Sequence, residues 1–452
     1  MIQALSPRLI LLTIIYNYYF SGFAIFWRKG TDTAQIENHC RIVKNRRTSL
    51  AILKGSEHYD IIKPGGMNME EFSTASMAEE IIKAVKKEYS SLNRLNVLIL
   101  GKTGVGKSTL INSLFSENLA ATGTGKPITA NIRPLSKPGF PLTIYDTPGL
   151  ELGGEHSAEN LLNDVKKLVH KGIFSGSVSE AIHCVWYCIA TPSHRIEPTE
   201  IAFLKELLTA AVTCSVPVII ILTQSYSAKD ARALEEVIRR ENLPVEKIVP
   251  VLAADYEFDA DMIKRSYGLE ELAEVMYSLI PTALQNTFAA VQKASIDIKK
   301  REAQAVVANA AKAAAVTGAV PIPFSDAAIL VPEQIAMLAK ITTVFGVPIQ
   351  KGTLMAILSS MIGTTGTTAA GRSIVSALLK LIPGAGSIAG GVISAATASA
   401  LTAALGEAYI VVMVRAATGE FPLSRLSSAE GRREMAAIFK EKLTARLPRK
   451  KA

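Results

Sequence analysis

The stretch LNVLILGKTGVGKSTL, Leu95 to Leu110, leaves little freedom in how the middle of this chain can fold. Its opening run of Leu, Val and Ile suits a short strand buried on both faces, and Lys107 to Leu110 opens a helix. Between them Gly101, Gly104 and Gly106 let successive backbone N–H groups turn toward one point, where the helix N-terminus adds positive potential. The spacing is G-x-x-x-x-G-K-[ST], which cradles a polyphosphate. In that reading Lys107 meets the β- and γ-phosphates, Ser108 ligates Mg²⁺, and Gly101, Thr103, Gly104, Val105, Gly106 and Thr109 complete the nucleotide-binding loop.

The surroundings fit such a loop. From about Met69 to Pro281 the β-rich runs LNVLIL, PLTIYD, AIHCVWYCIA, VPVIIIL and KIVPVLA alternate with helical periods near Lys107, Leu161, Glu200, Asp230 and Leu269. Strands alternating with amphipathic helices predict a parallel sheet covered on both faces, a doubly wound α/β domain. TIYDTPGL places Asp146 at a strand end, to hold a magnesium-bound water, and Gly149 where its N–H senses a γ-phosphate. The polar loop ATGTGKPITANI lies between the two motifs in the position of a switch; Thr129 is the first candidate there for Mg²⁺ and the γ-phosphate, with Thr122 and Thr124 as alternatives.

Outside this region the composition changes. Residues 1–66 begin with an apolar stretch, Leu9 to Trp27, followed by Arg28 and Lys29 and then an irregular polar segment. Two readings stay open: a signal anchor, or an over-extended reading frame with the start at Met67 or Met69. After about Ala289 strand patterns cease and Ala, Gly, Ser and Thr dominate. Gly352–Gly371 and Leu381–Gly406 carry no charge, and small residues recur at helical spacing (Gly363, Gly366, Thr367; Gly386, Gly390, Ser394), as in closely packed membrane helices. A tightly packed soluble helical bundle is the competing reading. The mean hydropathy of +0.26 agrees with either. A net charge of +9 favours anionic partners, and the basic end (Arg446, Arg449, Lys450, Lys451) attracts acidic lipid or is simply solvated. The four cysteines, Cys40, Cys184, Cys188 and Cys214, lack metal-ligand or disulfide spacing and read as free thiols.

GKTGVGKST, the PIT of the switch, DTPG and GLEELAEVMYSLIP together resemble an Era-like GTPase of the TRAFAC class, over roughly residues 93–283. WYCIATPSHRIEPTE resembles relatives of the interferon-inducible GTPases. The tail with PIPFSDA and EQIAML resembles a helical domain of unknown function appended to such GTPases in bacterial inner-membrane proteins. The resemblance implies GTP/GDP and Mg²⁺ as ligands, with Lys107, Thr129 and Gly149 acting on the γ-phosphate and Ser108, Thr129 and Asp146 around the metal. It also implies a base-reading loop at ILTQSYS, where Thr223 matches [NT]-K-x-D but Gln224 replaces the lysine and Tyr226 the aspartate. Backbone N–H groups of Ala253 and Ala254 remain to donate to guanine O6, with Asp255 as a substitute acceptor, so a reduced preference for GTP over ATP is expected. Leu150 stands where small signalling GTPases carry the water-orienting glutamine, which implies slow hydrolysis.

The expected organisation is an N-terminal extension (1–66), a leading amphipathic helix (67–92), the α/β P-loop GTPase domain (93–285), an all-α, Ala/Gly-rich and membrane-associated domain (286–425) and a basic tail (426–452). The function expected is a nucleotide-dependent switch or remodelling GTPase, either at the cytoplasmic face of a membrane or in the cytoplasm. A nucleotide-dependent dimer is a candidate assembly, and no specific nucleic acid is expected. A ribosome or RNA assembly GTPase and a nucleotide-binding scaffold with little turnover are the alternatives.

Overall fold

The structure is a computed structural model describing residues 42–45, 48–51, 74–120, 132–149, 158–259, 261–318, 326–347, 349–362, 395–420, 425 and 428–446. The chain divides into two units, Met1–Asn68 and Met69–Ala452. In the first, β1 (Ile42–Asn45) pairs antiparallel with β2 (Thr48–Ala51).

In the second unit, α1 (Thr74–Ser91) leads into β3 (Leu95–Gly101), the strand before the glycine loop, and α2 (Lys107–Leu114) follows that loop. Then come β4 (Arg133–Ser136), β5 (Leu142–Asp146), α3 (Ala158–Ser175), β6 (Cys184–Ala190), α4 (Pro198–Thr213), β7 (Val218–Thr223), α5 (Ala228–Arg240) and β8 (Lys247–Pro250). The six strands lie in the order β4-β5-β3-β6-β7-β8. Pairing is parallel from β5 through β8, as the alternating pattern predicts. At β4 the sheet departs from an all-parallel arrangement: β4 runs antiparallel to β5, with Arg133 opposite Asp146 and Ser136 opposite Thr143. The link Lys137–Pro141, closed by Phe140 N–H donating to the Lys137 carbonyl (3.0 Å), is too short for a crossover helix, so a hairpin is forced.

Alternation along β3 sorts the core into two halves. Val97 and Ile99 meet Ile111 of α2, whereas Leu98 and Leu100 meet Val165 of α3 and Leu204 of α4. Beyond β8, the acidic–apolar alternation of YEFDADMIK builds a hairpin absent from the sequence reading, β9 (Tyr256–Asp259) and β10 (Met262–Lys264). Helix α6 (Leu269–Leu279) closes the α/β part, starting at Gly268 (φ 83°), where a side chain would strike the Pro250 carbonyl.

The remaining described elements are helical: α7 (Thr282–Val291), α8 (Ile296–Gly318), α9 (Asp326–Phe345), α10 (Lys351–Ile362), α11 (Ala395–Ala417) and α12 (Ala429–Arg446). The 285/286 division expected from composition falls inside α7. One hydrophobic core runs through both parts, from Ile99 and Leu110 by way of Phe115 and Phe288 to Leu338, Leu401 and Tyr409. Its centre is a backbone joint: Ser116 N–H donates to the Val291 carbonyl and Lys293 N–H to the Leu114 carbonyl, both at 2.9 Å. Phe115 stacks on Trp186 (5.9 Å between centroids) and meets Phe288 edge-on (6.5 Å). Helix α1 packs against α9 and α10, with Lys351 paired to Glu79.

Two helix ends converge on one buried lysine. Lys299, in α8, donates to the carbonyls of Ala289 (2.5 Å), Val344 (3.1 Å) and Phe345 (3.0 Å), at the last turns of α7 and α9. Such terminal carbonyls have no partner inside their own helix and favour a cation. Gly346 (φ 64°) follows α9 where a side chain would collide with the Ala290 carbonyl, so the two helix ends approach at backbone contact.

Helix α11 lies against α8, α9 and α12. Gly406 permits that approach, since a side chain there would strike Val307 and Met337, and Tyr409 Oη shares a 2.7 Å hydrogen bond with Thr342 Oγ1. Among the described residues one helical window, Ala398–Ala417, is long and apolar enough to cross a membrane, and 61% of it is buried within the protein. Gly363, Gly366, Thr367, Gly386, Gly390 and Ser394 lie outside the described residues.

Candidate functional site

The site forms at the C-terminal edge of the sheet, where ligands bind in open α/β folds. Gly101 (φ 140°) passes so close to Cys188 of the neighbouring strand that a side chain would collide with the Cys188 carbonyl. Gly104 (φ 76°) and Gly106 (φ 93°) take left-handed conformations that complete the turn into α2. Val105 is buried and anchors the loop, while Thr103, Gly104 and Thr109 are exposed and Ser108 is half-buried. Lys107 folds back over the loop: its Nζ donates to the carbonyls of Gly101 (2.8 Å) and Lys102 (3.1 Å). Burial lowers its pKa, opposed by Cys188 and Asp146 nearby. The loop is also held from below, because Lys102 pairs with the buried Glu200 at 3.0 Å, which accepts from Tyr187 Oη at 3.1 Å.

Asp146 ends β5 and is buried, with Arg133 Nη2 at 4.0 Å from its Oδ2. Its neighbour Thr147 turns inward and donates to the Ile99 carbonyl (3.0 Å), leaving Asp146 as the acidic group of the turn. Gly149 then abuts the glycine loop, where any side chain would strike the Thr103 hydroxyl and amide. One hydroxyl and one carboxylate, with phosphate oxygens and water completing the shell, suit a magnesium ion. Ser108 and Asp146 fit that role; Thr129 and Leu150 lie outside the described residues.

The third loop follows β7. Thr223 is buried and donates to the Ile189 carbonyl (3.2 Å). Gln224 adopts φ 52° and its Nε2 donates to the Gly104 carbonyl at 2.8 Å, so this side chain ties the loop to the phosphate cradle. Ser225 is buried, hydrogen-bonded to Thr191 Oγ1 (2.7 Å), and its carbonyl accepts from Tyr267 Oη (2.7 Å). Tyr226 packs on Tyr256 of the β9–β10 hairpin, with ring centroids 4.3 Å apart. Ala253 is half-buried and Ala254 exposed in the facing loop. Asp255, expected as a substitute base acceptor, is engaged elsewhere: its carboxylate accepts from Arg265 Nη1 (2.5 Å) and Ser266 N–H (2.8 Å), which close the hairpin and lower its pKa. Sequence reasoning missed the aromatic packing and the Tyr267 contact; the signal available was the recurrence of aromatics at positions 226, 256, 258 and 267.

Residues 96–224 match the family model described as 50S ribosome-binding GTPase, and residues 283–444 match that of a domain of unknown function, DUF697. Translocase of chloroplast 34 from Arabidopsis thaliana is 37% identical over 101 residues, 22% of this chain and 31% of that protein. Neuronal-specific septin-3 from Bos taurus is 26% identical over 182 residues, 35% of this chain and 50% of that protein. In each case this chain spans half of the relative's length or less. Among solved structures, Toc33 from Arabidopsis thaliana in complex with Mg²⁺ and GMPPNP aligns at 21% identity and TM-score 0.23, covering 40% of this chain and 80% of that one. Aquifex aeolicus Era bound to GDP·AlF4⁻ aligns at 18% and 0.26, covering 44% and 67%. With a strand–loop–helix phosphate cradle in one matched region and described elements that are helical in the other, the chain joins a P-loop GTPase domain over residues 96–224 to a DUF697 domain over residues 283–444.

Proposed function

We propose that the protein is a guanine-nucleotide-dependent switch that hydrolyses GTP slowly with Mg²⁺ and acts at a membrane surface through its helical domain. The observation carrying this reading is the position of α2. Its N-terminus bears Lys107 and Ser108, and at its C-terminal end Leu114 and Ser116 are hydrogen-bonded to Lys293 and Val291 of the helical part. A phosphate bound at one end of an eight-residue rigid element therefore bears directly on the joint at the other.

With nucleotide bound, Lys107 would exchange the Gly101 and Lys102 carbonyls for phosphate oxygens, Ser108 and Asp146 would hold a magnesium ion, and the Gly149 N–H would meet the γ-phosphate. The ion would supply neutralisation of phosphate charge. Leu150 offers no hydrogen bond to an attacking water, which supports a low rate. The chloroplast translocase GTPases among the relatives and the long uncharged runs support membrane contact. The burial of α11 favours docking over a crossing by that helix. GTP turnover by the full chain, measured with and without anionic liposomes and after magnesium chelation, tests the proposal. Absence of magnesium-dependent GTP turnover would reduce the protein to a nucleotide-binding scaffold, and turnover and sedimentation unaffected by liposomes would remove the membrane.

A further inference from the structure

For a nucleotide whose phosphates sit on Gly101–Ser108, the loop after β7 is a neighbour of the cradle. The loop after β7 touches the phosphate cradle: Gln224 Nε2 bonds the Gly104 carbonyl, and its stem lies 3.9 Å from where a side chain on Gly106 would project. Two residues after Gln224 the same loop carries Tyr226, which belongs to an aromatic group. Tyr226 is half-buried, Tyr256 is 41% exposed and Phe258 51% exposed, and the three rings are mutually packed, with centroids 4.3 Å (Tyr226–Tyr256), 4.8 Å (Tyr256–Phe258) and 6.0 Å (Tyr226–Phe258) apart. Large exposed rings are costly to maintain unless a partner covers them. The nearby carboxylate, Asp255, is already bound to Arg265 and Ser266.

We propose that Tyr226 and Tyr256 form a stacking wall that holds the purine base of a nucleoside triphosphate by its face. This rests on the nucleotide-binding reading above and names how that site selects its ligand. Every purine has a π-face, so stacking adds affinity without reading donors and acceptors on the base edge. The wall then explains a base-reading loop without its carboxylate: affinity comes from the rings, and discrimination is left to weaker backbone contacts around Ala253 and Ala254. The loop keeps its shape by other means, through Ser225 with Thr191 and Tyr267, so removing a ring leaves the cradle standing.

The test compares GTP, ATP and inorganic tripolyphosphate binding to the full chain by calorimetry, in the wild type and in Tyr226→Leu, Tyr256→Leu and Tyr226→Phe. Loss of one ring is expected to weaken GTP and ATP by a similar factor, about 5- to 150-fold, with tripolyphosphate unchanged and Tyr226→Phe close to wild type. Tyr256→Leu, at an exposed strand position, carries the test if Tyr226→Leu does not fold. Unchanged nucleotide affinity, or a loss confined to GTP, would overturn the stacking wall while leaving the phosphate site intact, and an equal fall for tripolyphosphate would overturn it by showing that the rings support the cradle instead of the base. A wild-type protein that binds none of the three ligands would overturn the nucleotide reading itself.

Discussion

Lys299→Met tests how the helices of the C-terminal part are held to one another. The substitution keeps an unbranched stem of similar length and removes the ammonium, so the carbonyls of Ala289, Val344 and Phe345 lose their shared donor. Each buried carbonyl left without a partner costs about 1–3 kcal/mol. The gain of no longer burying a charge, several kcal/mol, offsets part of that. A net loss of about 2–4 kcal/mol at pH 7 is expected from these opposing contributions. Burial pulls the Lys299 pKa down to about 7, while the unfolded chain keeps an ordinary lysine. Between those two values the unfolded state binds more protons, so this residue's contribution to stability rises with pH. The gap between wild type and Lys299→Met should therefore widen from pH 7 to pH 9 in urea denaturation followed by circular dichroism. A variant as stable as wild type at pH 7, or a gap that narrows with pH, would refute the assignment of Lys299 as the clip between α7 and α9.

Three further outcomes are expected. Lys107→Ala should weaken nucleotide binding well over tenfold, since charge-assisted hydrogen bonds contribute about 1.5–3 kcal/mol each, with the melting transition retained; titration with a fluorescent nucleotide checks it. Phe288→Ala should destabilise the whole unit by about 3–5 kcal/mol in a single transition, because Phe288 packs on Phe115 beneath the nucleotide site; two separate transitions in calorimetry would show that the halves fold independently. Asp255→Ala should leave the ratio of GTP to ATP inhibition constants unchanged while loosening the β9–β10 hairpin, read by proteolysis; a shifted ratio would return Asp255 to base recognition.

The parts of the fold legible in the sequence are those where one local rule decides. β3, the glycine loop and α2 follow from residue type alone, and the strands β6 and β7 follow from runs too apolar to face water. The direction of β4 was set by the length of the link to β5, which outweighed the surrounding alternation. The hairpin β9–β10 was hidden because its strands are short and exposed on every described residue, so burial did not shape their sequence. The placement of Gly101 at the end of β3, of Lys107 and Ser108 at the start of α2 and of Asp146 at the end of β5 was legible from spacing. Gln224 was named for its position, but its bond to Gly104 arises between residues 120 apart in sequence. No periodicity records such a meeting.

The boundary expected from composition, at 285/286, lies within a helix of the shared core. Ala, Gly and Thr become abundant after about Ala289, and the helix α7 that spans this change belongs to the core that holds α8, α9 and α11. Small residues also allow helices to meet at short range, as Gly406 does against Val307 and Met337. At the same contact Tyr409 buries its hydroxyl against Thr342. Most of the apolar surface of α11, a helix whose charges are Glu407 and Arg415, is spent on joining helices to one another. Because those helices share a core with Phe115 at the foot of α2, the element that presents Lys107 cannot shift without moving the packing that they depend on.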